Sequence, residues 1–184
     1  MDAKHKNQRV AVFIDVQNLY YSAKNLFGKK VDFGSIVKTA VAGRQLVRAF
    51  AYVVRTEGGA EKPFHEALQK LGIEIRVRDL QEYPGGLKKA DWDVGITVDA
   101  IRIANNVDTI ILVSGDGDFL QLVEYLQNQG KRVEIIAFGR TGSSKLKEIC
   151  DDFIDLEKEQ GKYLIEHDAT PTPPKPKKFS KFNK

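Results

Sequence analysis

Apolar and polar positions along the chain fall into short blocks that switch between two periods. Residues 9–15 (RVAVFID) form a β-branched and aromatic run closing on an acid, the pattern of a buried strand. A helical period follows from Gln17 to about Phe27 and stops at Gly28. A second helix is expected over 33–42, with Asp32 as its N-cap. Residues 46–55 (LVRAFAYVVR) are strand-like again and end before a Gly58-Gly59 break. The stretch 62–71 reads as helix with Gly72 as its C-cap, and 73–80 (IEIRVRDL) alternates at period two, as a half-exposed strand does. Tyr83-Pro84-Gly85-Gly86 is a loop rich in breakers. A helix is expected over 92–104, then an apolar strand at 109–115 (TIILVSG) and a helix over 119–128 ended by Gly130. A strand at 131–139, a short helix at 144–150 and DFIDL as a candidate last strand complete the pattern.

Strands alternating with helices predict an α/β fold with three layers, α/β/α, around a mainly parallel central sheet. The expected organisation is an N-terminal arm at 1–8, one domain at 9–165 and a tail at 166–184. That tail sets Pro171, Pro173, Pro174 and Pro176 among lysines and reads as disordered and basic. It also holds five Lys against two acids, so it supplies +3 of the chain's net +4. The domain itself is therefore nearly neutral, and nucleic-acid binding there needs local patches rather than overall charge. No apolar run approaches the roughly 18–20 residues of a membrane span, and no apolar segment follows the charged start MDAKHKNQRV as in a secretory signal. The single Cys150 forms no internal disulfide and belongs to no zinc-like cluster, which predicts a reduced, cytoplasmic setting.

The acids change the picture most. Ligand sites in parallel α/β sheets lie at the carboxyl ends of the strands. Asp15 closes the first strand, Asp116 and Asp118 directly follow the apolar strand 109–113, and Asp93 stands in the first turn of a crossover helix that begins at the same edge. Carboxylates gathered there repel one another unless a proton or cation intervenes, and Mg²⁺ or Mn²⁺ suits an all-oxygen site. Gly115 and Gly117 allow a sharp turn and close approach of a phosphate.

Each acid also has a structural reading. Asp118 with Gln121 fits a capping box, Asp91 an N-cap, and Asp93 a charge set against the helix dipole. Asp99 sits in a helix apolar nearly all round, so it is expected to be largely buried and to need a partner, whether behind a metal site or in a structural hydrogen bond. Asn18 lies one turn from Asp15, where it either bonds its own helix start or orients a ligand. Lys89, Arg55, Ser114, Arg140, Thr141, Ser143 and Ser144 are candidates for phosphate contact, and Tyr20 and Tyr21 for base stacking. His5, His65 and His167 show no metal or base spacing.

Three segments carry a family resemblance: Phe13-Ile14-Asp15-Val16-Gln17-Asn18-Leu19, Asp93-Val94-Gly95-Ile96-Thr97-Val98-Asp99-Ala100 and Val113-Ser114-Gly115-Asp116-Gly117-Asp118-Phe119. In this order they resemble the signatures of NYN domains of the LabA-like branch, over roughly residues 8–157. The resemblance implies a PIN-like fold and metal-dependent ribonuclease activity. It puts metal ligands at Asp15, Asp93 and Asp116, with Asp118, Asp99 and Asn18 in support. RNA is then the expected partner, Mg²⁺ or Mn²⁺ the cofactor, and no membrane is involved. The exposed strand 73–80 offers an edge for a homodimer. A non-catalytic RNA-binding or regulatory module with the same acidic rim is the main alternative. Receiver and haloacid-dehalogenase phosphotransfer domains fit less well, because Asp15 is followed by Val16 and Gln17; a Toprim-like site needs a Glu where Asp15 stands.

Overall fold

The computed structural model describes residues 4–55, 62–79, 81, 82, 88, 89 and 91–165, with 81, 82, 88 and 89 described by their backbone alone. The chain runs β1 (Arg9–Asp15), α1 (Val16–Phe27), β2 (Lys30–Val31), α2 (Phe33–Val41), β3 (Gln45–Arg55), α3 (Lys62–Lys70) and β4 (Glu74–Asp79). It continues through β5 (Gln81–Glu82), β6 (Lys88–Lys89), α4 (Asp93–Ala104), β7 (Thr109–Val113), α5 (Leu120–Asn128), β8 (Arg132–Ala137), α6 (Ser144–Ile149) and β9 (Asp152–Asp155). It closes with α7 (Gln160–Tyr163) and β10 (Leu164–Ile165), and 3-10 turns stand at Gly117–Phe119 and Leu156–Glu159. The loop at 83–86 and the tail at 166–184 lie outside the described residues.

Six strands form one parallel sheet in the order β4-β3-β1-β7-β8-β9. The apolar blocks explain that placement. Val10 to Ile14 of β1 are at most 1% exposed, as a central strand covered on both faces must be. Alternate residues serve different layers: Val10, Val12 and Ile14 pack with α1, α2 and α3, while Ala11 and Phe13 pack with α4, α5 and α6. Burying each of these larger side chains stabilises the fold by about 1.5–3 kcal/mol. The expected three-layer α/β/α architecture is what the structure has. Among the described residues no helix is long and apolar enough to cross a membrane.

The connections leave β1 toward β3 on one side and return to β7 on the other. The carboxyl ends of β1 and β7 therefore flank the point where strand order reverses, which opens a crevice for a ligand. Helix ends follow the sequence signals. Asp15 and Asp32 cap α1 and α2 by accepting from Asn18 N and Ser35 N, and Gly28 closes α1 at φ 64°.

Two local expectations are corrected. Asp91 is not the cap of α4; Trp92 holds that position without a side-chain hydrogen bond. Asp118 forms no capping box with Gln121, because Phe119 is the N-cap of α5 and a 3-10 turn capped by Asp116 precedes it. Two small antiparallel pairs, β10 with β2 and β5 with β6, were not expected; strands of two residues are too short to show a period.

Candidate metal centre

Backbone capping places the first two acids. Asp15 Oδ1 accepts from Asn18 N at 3.1 Å, which fixes the carboxylate at the start of α1. Asn18 Oδ1 then accepts from Gly115 N at 3.0 Å, tying the turn after β1 to the loop after β7. Ser114, only 2% exposed, donates to Asp15 Oδ2 at 3.3 Å and accepts from Asp116 N at 3.2 Å. Asp116 Oδ1 accepts from Asp118 N at 3.0 Å and so caps the 3-10 turn. Gly115 has to be glycine for space: a Cβ there would stand 2.8 Å from Gly142 Cα in the loop after β8, whose Ser143 N donates to Gly115 O. Asp93 comes from the other side, in the first turn of α4. That helix start is anchored by Trp92, whose Nε1 donates to Val53 O at 3.0 Å and whose ring meets Tyr52 edge-on.

Asp93, Asp116 and Asp118 each present one carboxylate oxygen, and these lie within 4.8 Å of one another. Oxygens on opposite sides of one Mg²⁺ stand about 4.2 Å apart, twice the ~2.1 Å ligand distance. The three oxygens come close to that spacing and are all hard donors, so the donor set fits a hard divalent ion. Asp15 lies outside that group of three but lines the same pocket of about 160 Å³, together with Gln17, Asn18, Tyr21, Asp91, Trp92, Asp93 and Asp116. None of these lining residues is basic. Burial, then the negative charges of Asp116, Asp91, Asp15 and Asp118, push the Asp93 carboxyl up to about 6. Burial also raises Asp15, with Asp116 adding to it, against the lowering effect of the hydrogen bonds from Asn18 and Ser114. Carboxylates crowded enough to raise one another's pKa make a setting that a cation would stabilise.

A protein-family model described as the NYN domain matches residues 9–157. The chain belongs to the NYN domain family. Over 157 residues it is 28% identical to the Low amplitude and bright protein LabA of Synechococcus elongatus, covering 80% of this chain and 83% of that relative. An uncharacterised protein of Methanocaldococcus jannaschii is 27% identical over 158 residues; the match covers 82% of this chain and 56% of that longer protein. The crystal structure of a Vibrio parahaemolyticus protein of unknown function superposes with a TM-score of 0.80 at 34% identity, covering 88% of this chain and 99% of that one. NYN domains are PIN-like, a group of nucleases that generally use divalent metals, and the six-stranded parallel sheet agrees with that fold.

The other predicted site residues of this NYN domain separate into groups. Asn18 and Ser114 position the acids through the bonds above, and buried Ser114 faces Asp15 and Asp116 rather than open solvent. Asp99 does not join the acidic group. It accepts from Tyr52 Oη at 3.0 Å and pairs with Arg76 and Arg102 at 3.6 Å, which is the structural partnership that a half-buried carboxylate requires. Arg55 is exposed and pairs with Asp79 at 3.3 Å. Arg140 donates through N and Nε to Glu157, both at 2.6 Å. Thr141 donates to Ser22, Ser143 caps α6, and Ser144 is the exposed first residue of that helix. The Lys89 side chain and His167 lie outside the described residues, and neither His5 nor His65 lines the pocket. Sequence reasoning missed Gln17, Asp91 and Trp92 as pocket walls. Gln17 was detectable in principle, one helical turn before Tyr21 on the same face.

Proposed function

We propose that this domain hydrolyses RNA phosphodiester bonds at the pocket between β1 and β7, with Mg²⁺ or Mn²⁺ held by Asp93, Asp116 and Asp118 and with Asp15 beside them. The observation that carries the reading is the meeting of three carboxylate oxygens within 4.8 Å, at the point where strand order reverses. A bound ion would supply Lewis acidity, lowering the pKa of a water and offsetting charge on the phosphate. The chain's own groups do the positioning. Ser114 and Asn18 hold the β1 and β7 ends in register, so Asp15 and Asp116 face one pocket. Asp15, hydrogen-bonded on both oxygens, orients a water toward the phosphate. The reading places the protein in a reduced, cytoplasmic setting. Edge strand β4 is the surface offered to a second copy in a homodimer, which sedimentation across a range of concentrations reads directly.

The test is cleavage of mixed RNA and DNA substrates with and without Mg²⁺ or Mn²⁺. Wild-type protein is expected to cut RNA only with metal, and Asp15→Asn and Asp116→Asn to lose cleavage while keeping the wild-type circular dichroism. Undiminished cleavage by both variants would sink the reading. Binding of labelled RNA without cleavage under both metals would point instead to an RNA-binding or regulatory module.

A further inference from the structure

The first helix carries two aromatic rings that the core does not use. Tyr20 and Tyr21 are 39% and 53% exposed, next to Leu19 and Ser22, which are buried. Their rings meet edge to face with centroids 5.3 Å apart, and Lys24 Nζ stands 5.6 Å from the Tyr20 ring centre. Leaving such rings in water forfeits burial that would stabilise the fold. Their location is not arbitrary: Tyr21, from α1, lines the acidic pocket together with Trp92 and with Asp93 at the start of α4. Trp92 is a fixed wall, held by its bond to Val53 O, by Tyr52 at its edge and by Arg78 over its ring at 4.5 Å. Tyr21 is the more exposed of the two tyrosines and the one that lines the pocket.

We infer that Tyr21, backed by Tyr20 and Lys24, is a stacking platform for an unpaired base of single-stranded RNA whose phosphate lies at the acids. The inference rests on the RNA reading of the pocket and adds the form of RNA that it accepts. Tyr21 stands six positions along the chain from Asp15, a helical rise of roughly 9 Å. A stacked strand advances about 3.4 Å per nucleotide, so the platform reaches a base two or three nucleotides from the phosphate at the acids. A ring face takes any base whose own face is free, and a base inside a duplex has none to give. Lys24, over the Tyr20 ring, adds a positive charge on the α1 side to meet the strand's phosphates. The arrangement thus favours single strands over duplexes and tolerates different base sequences.

Trp92 is the only tryptophan in the chain and lines the same pocket, so its fluorescence reports occupancy without any cleavage. The experiment titrates wild type, Tyr21→Ala and Tyr21→Phe with a short 2′-O-methylated single-stranded oligonucleotide in Mg²⁺, and with the matching duplex. Tyr21→Ala is expected to weaken single-strand binding by about five-fold or more, the loss of one stacked base. Tyr21→Phe should bind like wild type, the duplex should bind more weakly throughout, and thermal unfolding of all three proteins should coincide. Wild-type affinity in Tyr21→Ala, or equal loss in Tyr21→Phe, overturns the platform while leaving the metal-dependent nuclease reading intact. Failure of wild type to bind either RNA form overturns both.

Discussion

The amino-terminal end of the central sheet and the pocket between β1 and β7 handle carboxylates in opposite ways. At the amino-terminal end, acids meet arginines and lysines. Glu134, fully buried, accepts from Arg44 Nη1 and Nη2 at 2.9 Å and from Arg132 Nε at 3.0 Å. Lys4 pairs with Asp152 at 2.8 Å, and Arg9 holds Asp108 through two side-chain bonds, which keeps that carboxyl down at about 2. In the pocket between β1 and β7, Asp93, Asp116 and Asp118 gather and Asp93 is driven up to about 6, while Arg55–Asp79 and Arg140–Glu157 pair farther along the same edge. The same sheet therefore contains charges paired to hold the fold and charges crowded so that one carboxyl is pushed up. That contrast identifies the site better than the count of acids does.

The largest stability effect is expected at the paired end. Glu134→Leu leaves Arg44, whose side chain is 1% exposed, without its carboxylate. Removing one partner of a buried pair costs about 3–5 kcal/mol, which urea unfolding measures. Adding Arg44→Met should recover most of that loss, because the apolar pair no longer buries a lone charge. If Glu134→Leu unfolded like wild type, the amino-terminal pairing would be ornamental and the comparison would break. Next in size is Gly115→Ala, which forces a methyl against Gly142 and spreads the loops after β7 and β8. Overpacking of this kind costs about 1–3 kcal/mol, and any metal-dependent cleavage should fall with it.

Much of this arrangement was legible in the sequence, for a physical reason. Central parallel strands must be apolar throughout, so an acid immediately after such a run marks the rim; Asp15 and Asp116 stood out that way. Asp93 followed from the start of a crossover helix. What stayed hidden depends on which elements become neighbours. Asp99 was expected to need a partner, yet Tyr52, Arg76 and Arg102 come from β3, β4 and its own helix, and no spacing along the chain brings the three together. The helix that carries it reads as apolar nearly all round, but Val94 is 71% exposed because only one face of α4 meets the sheet. Asp118 carried a local capping pattern that lost to Asp116, whose carboxylate reaches the turn first. Trp92 entered the pocket wall through a bond to β3 that only the folded chain creates.

The crowded acids should also show themselves through metal and protons. A divalent ion needs the ionised carboxylates, so its binding releases the proton that Asp93 holds below about pH 6. Mg²⁺ or Mn²⁺ affinity, read by calorimetry, should therefore rise with pH by up to about ten-fold per unit below that point and level off above it. Affinity that is flat from pH 5 to 7 would show that Asp93 is not in the ligand set.

The smallest effect gives the finest comparison, because the two regions predict opposite signs. Asp108 has a lowered pKa in the folded state, so its contribution to stability is present above its unfolded value and is lost as pH falls toward about 2. Asp93 has a raised pKa, so the folded chain binds the extra proton; its contribution is complete below the ordinary carboxylate value near 3.8 and is lost as pH rises through about 6. In EDTA, Asp93→Asn should then raise the melting temperature at pH 7.5 and leave it nearly unchanged at pH 4. Asp93 is partly exposed and its repulsion is screened, so the gain should be about 1 kcal/mol or less. Saturating Mg²⁺ should reverse the order at pH 7.5, because only the wild type keeps its full set of carboxylates for the ion. A lower melting temperature for Asp93→Asn in EDTA would mean that this carboxylate supports the fold, as Glu134 does at the other end, rather than being held in place against the repulsion of its neighbours.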